Sequence, residues 1–222
     1  MTDSIAKQHY TLISPNLWQR LRAMLLGWGA VGCIYGLTGY LPNQPTVLMP
    51  SVIDQSLPFD IRAIWPYLSF FLLIPYAYLY CPAHKLPWLM RAMILVAIIF
   101  GLIYVFVPTT LPTIAMQQLS DVRHTYPISY GMWQQLLHVD TPNNCAPSLH
   151  AALSTLAGWA LLQPKRPVYN LLVMLWVLII GVSIIVLRQH FFLDWWTGTL
   201  LALLVGYGVR YWLYKEQNHA YE

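Results

Sequence analysis

Six runs of this chain are each apolar over nearly the thickness of a bilayer's hydrocarbon core, and no other feature restricts the fold as much. A helix needs about 20 mostly apolar residues to cross. The runs are Ala23 to Leu41, Ala63 to Cys81, Leu89 to Val107, Leu149 to Leu162, Val168 to Leu187 and Phe191 to Leu213. Composition argues against a soluble domain, because 58% of the residues are hydrophobic and 9% are charged, whereas a soluble domain carries roughly 25% charged residues. The sequence thus predicts an all-α polytopic membrane protein, a six-transmembrane-helix bundle forming one membrane-embedded domain over residues 1–222. The fourth run is short. Cys145 to Ser148 and Gln163 can complete it, or the bilayer can thin around it. Gly29, Gly32, Gly36 and Gly39 form a smooth stripe on the first run and predict the close approach of another helix. Pro66 and Pro75 predict a kink in the second run. Cys33, Cys81 and Cys145 have neither disulfide nor zinc spacing. The polar Met1 to Gln19 lacks the apolar core and cleavage site of a signal peptide, so the first run is expected to be retained.

Cytoplasmic loops carry the excess of Lys and Arg. With the N-terminus inside, Lys7, Arg20, Arg22, Lys85, Arg91, Lys165, Arg166, Arg210 and Lys215 are all cytoplasmic, and only Arg62, Arg123 and Arg188 fall outside. Asp54, Asp60, Asp121, Asp140 and Asp194 also lie on the outer side, with His124, His138, His150 and His190. Both termini are expected in the cytoplasm, most simply at a bacterial cytoplasmic membrane. The net charge of +4 is then a topology signal, and no basic run is dense enough for nucleic acid.

The longest connection, residues 108–146, joins the third and fourth spans on the outer side, and connections of that length are usually functional or disordered. Its aromatic content argues against disorder. Ile128 to Val139 places Met132, Trp133, Leu136 and Leu137 on roughly one face, which predicts an amphipathic interfacial helix. Asp140 to His150 reads as a turn and then a helix start, with Pro147 in the first helical turn and the Ser148 hydroxyl beside the free amides, an anion site. Arg188, His190 and Asp194 sit at the junction of the last two spans, where ionisable residues are costly and usually functional. His190 and Asp194 are spaced i, i+4, so on a continuous helix the carboxylate can fix the imidazole tautomer. An anion-binding helix end, a cation, an oriented imidazole and a second imidazole, His150, are what phosphoryl transfer through a phosphohistidine needs. A metal site built from His150, His190 and Asp194 is the competing catalytic reading, although further ligands are not obvious.

These residues resemble a known family. Pro147-Ser148-Leu149-His150 is similar to the Pro-Ser-x-His motif of the type 2 phosphatidic acid phosphatases. Ser183 through His190 to Asp194 and Gly198 resembles their last motif, Ser-Arg-x5-His-x3-Asp followed by Gly. The resemblance covers the second half of the chain, with the catalytic half in residues 140–200. It implies that His190 is the nucleophile, Asp194 its orienting carboxylate, His150 the general acid and Ser148 a phosphate ligand, with no cofactor and no metal. Ile184 stands where the family has arginine, and the first motif, Lys-x6-Arg-Pro, has no match before Pro147; Pro108-Thr109-Thr110-Leu111-Pro112 is a candidate for its place. Arg188, with Arg123 as second choice, is expected to supply the phosphate-binding charge. The run Asp140 to His150 with Arg188 looks closer to the branch that includes inositol phosphorylceramide synthases. The expected function is therefore a phosphatase acting on a lipid phosphate, of phosphatidate or polyprenyl diphosphate type, at the outer face. A lipid phospho-headgroup transferase and a non-catalytic lipid-binding or transport protein stand as alternatives. The partners expected are the lipid substrate and the bilayer, with a homo-oligomer left open.

Overall fold

The computed structural model describes residues 15–39, 41, 44–112, 116–140 and 143–219, and of helix residues 116–120 and 217–219 the backbone alone. Lys7, Thr141 and Pro142 therefore lie outside the described residues. The chain forms α1 (Leu17–Gly39), β1 (Thr46–Val47), α2 (Val52–Ser56), α3 (Ile64–Leu68), α4 (Phe70–Tyr80), α5 (Leu86–Phe106), β2 (Thr109–Thr110), α6 (Met116–Thr125), α7 (Pro127–Val139), α8 (Leu149–Leu161), α9 (Pro167–Val186) and α10 (Phe192–His219).

Among the described residues, five helical segments are long and apolar enough to cross a membrane: Leu17–Gly39, Ile61–Tyr80, Ala83–Phe106, Pro167–Val186 and Phe192–Glu216. The fourth run, expected to be short, forms α8, whose 13 residues extend only about 20 Å. Its surroundings explain the shortness. Leu149, Ala151, Ala152, Leu153, Leu156, Ala157, Ala160 and Leu161 are all buried, because α4, α5, α9 and α10 pack around α8. A helix enclosed by protein has no need to match the thickness of the lipid.

The second span is interrupted for one residue only, Ser69 between α3 and α4, where the backbone stays close to helical, with φ −63° and ψ −14°. The Ser69 hydroxyl donates to the Pro66 carbonyl at 2.6 Å and accepts from the Trp176 indole of α9 at 2.9 Å. The interruption thereby becomes an attachment point between helices. The glycine stripe also differs from expectation. A Cβ built at Gly32 or Gly36 meets nothing within 4 Å. The tight approaches occur at Gly27, against the Tyr78 hydroxyl, and at Gly101 of α5, against Ile34. Close packing of α1 thus relies on one glycine outside the stripe and on another in its partner helix.

The two ends of the bundle differ in character. At one end Arg20 donates to the Tyr78 and Cys81 carbonyls at 2.9 and 3.1 Å. There too Lys85 donates to the Trp159 and Leu162 carbonyls at 3.0 and 2.6 Å. Both cations satisfy carbonyls that end a helix. Arg91 pairs with Glu216 at the same end. At the opposite end β1 and β2 pair in parallel, Thr46 opposite Thr109 and Val47 opposite Thr110, and Asn144 bridges to Thr109. Three connections are stitched together there through their backbones.

The long connection 108–146 is mostly helical. In α7 Trp133, Leu136 and Ser129 are buried while Met132 and Leu137 are exposed, so the buried face is rotated from the expected one. The cause is protein contact: Trp133 packs edge-on against Phe59 at 6.2 Å, and Ser129 accepts from the Trp65 indole at 3.1 Å.

Candidate active site

The turn between α9 and α10 carries Arg188 and His190. The Arg188 amide donates to the Ile185 carbonyl and the Gln189 amide to the Ile184 carbonyl, both at 3.0 Å. This pair of bonds is the Schellman ending, which places one residue in the left-handed region. That residue is Arg188, with φ 56°, where glycine is the usual choice. Its guanidinium holds the conformation from outside by donating to the Asp54 and Leu57 carbonyls at 2.5 and 2.7 Å.

His190 therefore precedes α10, and the continuous helix expected to align it with Asp194 is corrected. Helix α9 has ended and α10 has not begun. Asp194 is the third residue of α10, and its Oδ2 reaches back to accept from the Phe191 amide at 2.8 Å, one half of a capping box. The same oxygen lies 3.9 Å from His190 Nδ1, beyond hydrogen-bond range. His190 is 4% exposed, and its Nδ1 has no other partner among the described residues. Burial first, and the neighbouring His150 second, hold the His190 imidazole well below the usual histidine pKa, against an opposing hydrogen bond to the Cys145 backbone.

His150 is the second residue of α8, earlier in the helix than one full turn. Its Nε2 lies 2.9 Å from the Tyr67 hydroxyl, and its ring packs against Phe70 at 4.8 Å. The centroids of the His150 and His190 rings are 5.9 Å apart. Ser148, fully buried, is the N-cap of α8; its Oγ accepts from the Ala151 amide at 3.3 Å. Pro147 thus stands before the cap, outside the first helical turn where it was expected. The Ser148 amide donates to the Asp194 carbonyl at 2.9 Å, which joins the helix carrying His150 to the helix carrying Asp194. A Cβ at Gly198 would sit 2.3 Å from the Ser148 carbonyl oxygen, so that junction requires glycine.

The structure brings His150, His190, Asp194 and Ser148 together. Arg188 is near in the chain, but its side chain grips the connection between α1 and α3. Arg123 is exposed on α6. The segment Pro108 to Pro112 does reach the site end: the Thr109 hydroxyl accepts from the Ala146 amide at 2.7 Å, directly before the Ser148 motif. It brings no cation with it.

Two residues here escaped sequence reasoning. Asp54 is completely buried; its Oδ1 accepts from the Phe192 amide at 2.7 Å, and its Oδ2 accepts from the amide and hydroxyl of Ser51 at 2.8 and 2.6 Å. The Ser51-x-x-Asp54 spacing is a readable capping signal, but nothing in it points to α10. Tyr67, which holds His150, stands in an apolar run with no local signal at all. Beside His150 lies a cavity of about 310 Å³ walled by Gly32, Gly36, Tyr67, Phe70, Leu149 and Leu153. At its edge the Tyr35 hydroxyl is hydrogen-bonded to Asp140. The unfilled glycine stripe of α1 therefore widens a cavity instead of seating a helix.

Comparison with curated proteins found no match. Residues 45–208 match a family model described as the PAP2 superfamily, a region that includes Asp54, Tyr67, His150, His190 and Asp194 and leaves α1 outside. With well over half its length matched, the chain belongs to the PAP2 superfamily.

Proposed function

We propose that this protein is a membrane-embedded phosphatase or phosphotransferase that acts on a lipid phosphate through a phosphohistidine at His190. The observation that carries the reading is the pair of imidazoles, buried at His190 and half-buried at His150 and 5.9 Å apart by centroids, with the Asp194 carboxylate behind one of them. A His190 nitrogen attacks phosphorus, the bond from phosphorus to the lipid oxygen breaks, and His150 gives that oxygen its proton. Water then attacks the phosphohistidine, the phosphorus–nitrogen bond breaks, and His150 takes up the proton released. Tyr67 suits both states of His150, because a phenol oxygen accepts from a charged ring and its hydroxyl donates to a neutral one. The 3.9 Å gap from Nδ1 to Asp194 must shorten as charge builds on the ring, and catalytic hydrogen bonds are often long before substrate binds. The cavity beside His150 suits the first part of the leaving lipid, and the basic end of the bundle is assigned to the cytoplasm. Transfer to another alcohol differs only in what attacks the phosphohistidine.

One observation favours a non-catalytic, headgroup-binding reading: Arg188, the cation two residues before His190, is committed to two backbone carbonyls. Phosphate release from a panel of lipid phosphates by the purified protein, with chelator throughout, together with acid-labile trapping of label on His190, decides between them. Turnover in chelator with label on His190 supports the proposal. A protein that binds the same lipids and never becomes labelled contradicts it.

A further inference from the structure

A second cavity, about 390 Å³, lies between α8, α9 and α10. It touches Ala151, Ser154, Thr155 and Gly158 of α8, a different face from the one bearing His150, and none of His150, His190 and Asp194 lines it. Its walls are largely apolar, with Val177, Leu178 and Leu203 among them. Yet two hydroxyls in those walls, Ser154 Oγ and Thr199 Oγ1, are buried and have no hydrogen-bond partner among the described residues. Ser154 is only 2% exposed.

Neighbouring residues show how such hydroxyls are ordinarily satisfied inside helices. Thr155 donates to the Ala151 carbonyl and Thr197 to the Leu193 carbonyl, both at 2.8 Å, the back-bond to residue i−4. Ser154 and Thr199 make no such bond. Two donors on two different helices thus stand unmet within the walls of one apolar space, where an unmet polar group is costly. The cavity opens outward, since Leu178 and Tyr207 both line it and are themselves exposed. The flanking faces of α9 and α10, with Leu175, Val182, Leu200 and Leu204, are exposed and apolar, as lipid-facing surfaces are.

We propose that this cavity binds an acyl-bearing membrane lipid, whose ester or amide carbonyl accepts from Ser154 and Thr199 while its chain fills the space between α9 and α10. A bare hydrocarbon chain would leave both donors unmet. The occupant is a lipid of the bilayer, because the cavity contains none of the reacting groups. Thr199 follows Gly198, and Trp195, whose indole lies over Gly181, follows Asp194. A lipid bound there braces the first turns of α10 and, through them, the turn holding His190.

The full chain is reconstituted in nanodiscs of diester phosphatidylcholine or of diether phosphatidylcholine with the same chains, and thermal unfolding is compared. The ester lipid should raise Tm by about 2 °C or more, and the Ser154→Ala/Thr199→Val variant should lose that difference. Equal Tm in the two lipids, the result if water meets the hydroxyls, overturns the proposal, as does a difference that survives in the variant. A wild-type arm does not depend on the variant folding: phosphatidylcholine carrying a photoreactive group beside its ester should label peptides within Ser154 to Leu162 or Trp195 to Tyr207. Labelling elsewhere alone counts against the site. A rise in KM for an ester lipid phosphate, but not for its ether analogue, in the variant would make the substrate the occupant and remove the bilayer lipid.

Discussion

Arg20 and Arg188 make the same kind of contact at opposite ends of the molecule. Each guanidinium donates to two backbone carbonyls, Tyr78 and Cys81 in one case and Asp54 and Leu57 in the other. Arg20 projects from ordinary helical backbone and closes the end of α4. Arg188 holds a left-handed conformation and ties the histidine turn to a connection more than a hundred residues earlier. A cation beside a candidate phosphate site is therefore not automatically a phosphate ligand. What separates the two ends is the tie itself: side chains cap single helices at one end, and backbone amides and carbonyls from distant segments lock together at the other.

Removing His190 should produce the largest contrast between the ends. His190→Ala should abolish the phosphoenzyme, while Asp194→Asn should slow its formation strongly and leave some, because a misplaced tautomer handicaps a nucleophile without deleting it; acid-labile labelling measures both. Phosphate found on His150 would overturn the assignment of roles.

Next in size is the acid. His150→Ala should lose about 10² to 10⁴ in rate on a lipid phosphate and far less on an aryl phosphate, whose leaving group scarcely needs a proton. Tyr67→Phe should show the same selectivity to a smaller degree. Equal losses on the two substrates would mean that His150 and Tyr67 shape the site without moving a proton.

Arg188 can be divided into backbone and side chain. Arg188→Ala should lose about 10-fold or more in activity, because it frees the turn that positions His190, and should also lower Tm. Arg188→Gly accepts the left-handed backbone freely, so it should be the more stable of the two and should lose activity to the same degree. Were Arg188→Gly fully active, the side chain would be no more than a counterpart of Arg20, and Arg123 would become the cation to test.

The pH dependence should be smaller. Burial lowers the proton affinity of His190 in the fold, so as pH falls below about 6.5 the unfolded chain takes up a proton first. The stability held by the neutral ring is complete above that pH and is lost progressively as pH falls below it. Activity needs the neutral ring, so the acid limb of kcat/KM should lie clearly below pH 6.5. An acid limb at or above 6.5 would show that His190 is not held neutral by burial.

The smallest effect belongs to the basic end. Arg20→Ala should cost on the order of 1 kcal/mol, since it leaves helix-end carbonyls to water or headgroups, and should leave kcat unchanged. A fall in activity comparable to that of Arg188→Ala would erase the distinction between the ends.

The spans, the charge asymmetry and the cluster of His150, His190, Asp194 and Ser148 were readable because each rests on local chemistry: long apolar runs, loop cations and a helix-capping serine. What could not be read depends on distant partners. Spacing of i, i+4 between His190 and Asp194 implied a continuous helix, but the Schellman ending hides behind an arginine where glycine is the common signal. The stripe of Gly32 and Gly36 looked like a packing surface, and only the position of α8 turns it into a cavity wall. Asp54 and Tyr67 act on residues more than eighty positions away, and no local pattern records that. The shortness of α8 is legible in the sequence, but its reason, enclosure by α4, α5, α9 and α10, belongs to the assembled fold.

At Gly198 two helices of the site meet backbone to backbone. Because the Ser148 carbonyl rests where a Cβ would otherwise stand, and the Ser148 amide is bonded to the Asp194 carbonyl, the spacing between α8 and α10 is fixed by main chain against main chain. Further along the same two helices the spacing is set instead by side chains, Trp159 and Leu156 of α8 against Gly206 of α10, whereas at the junction a single added methyl at residue 198 pushes the main chains apart.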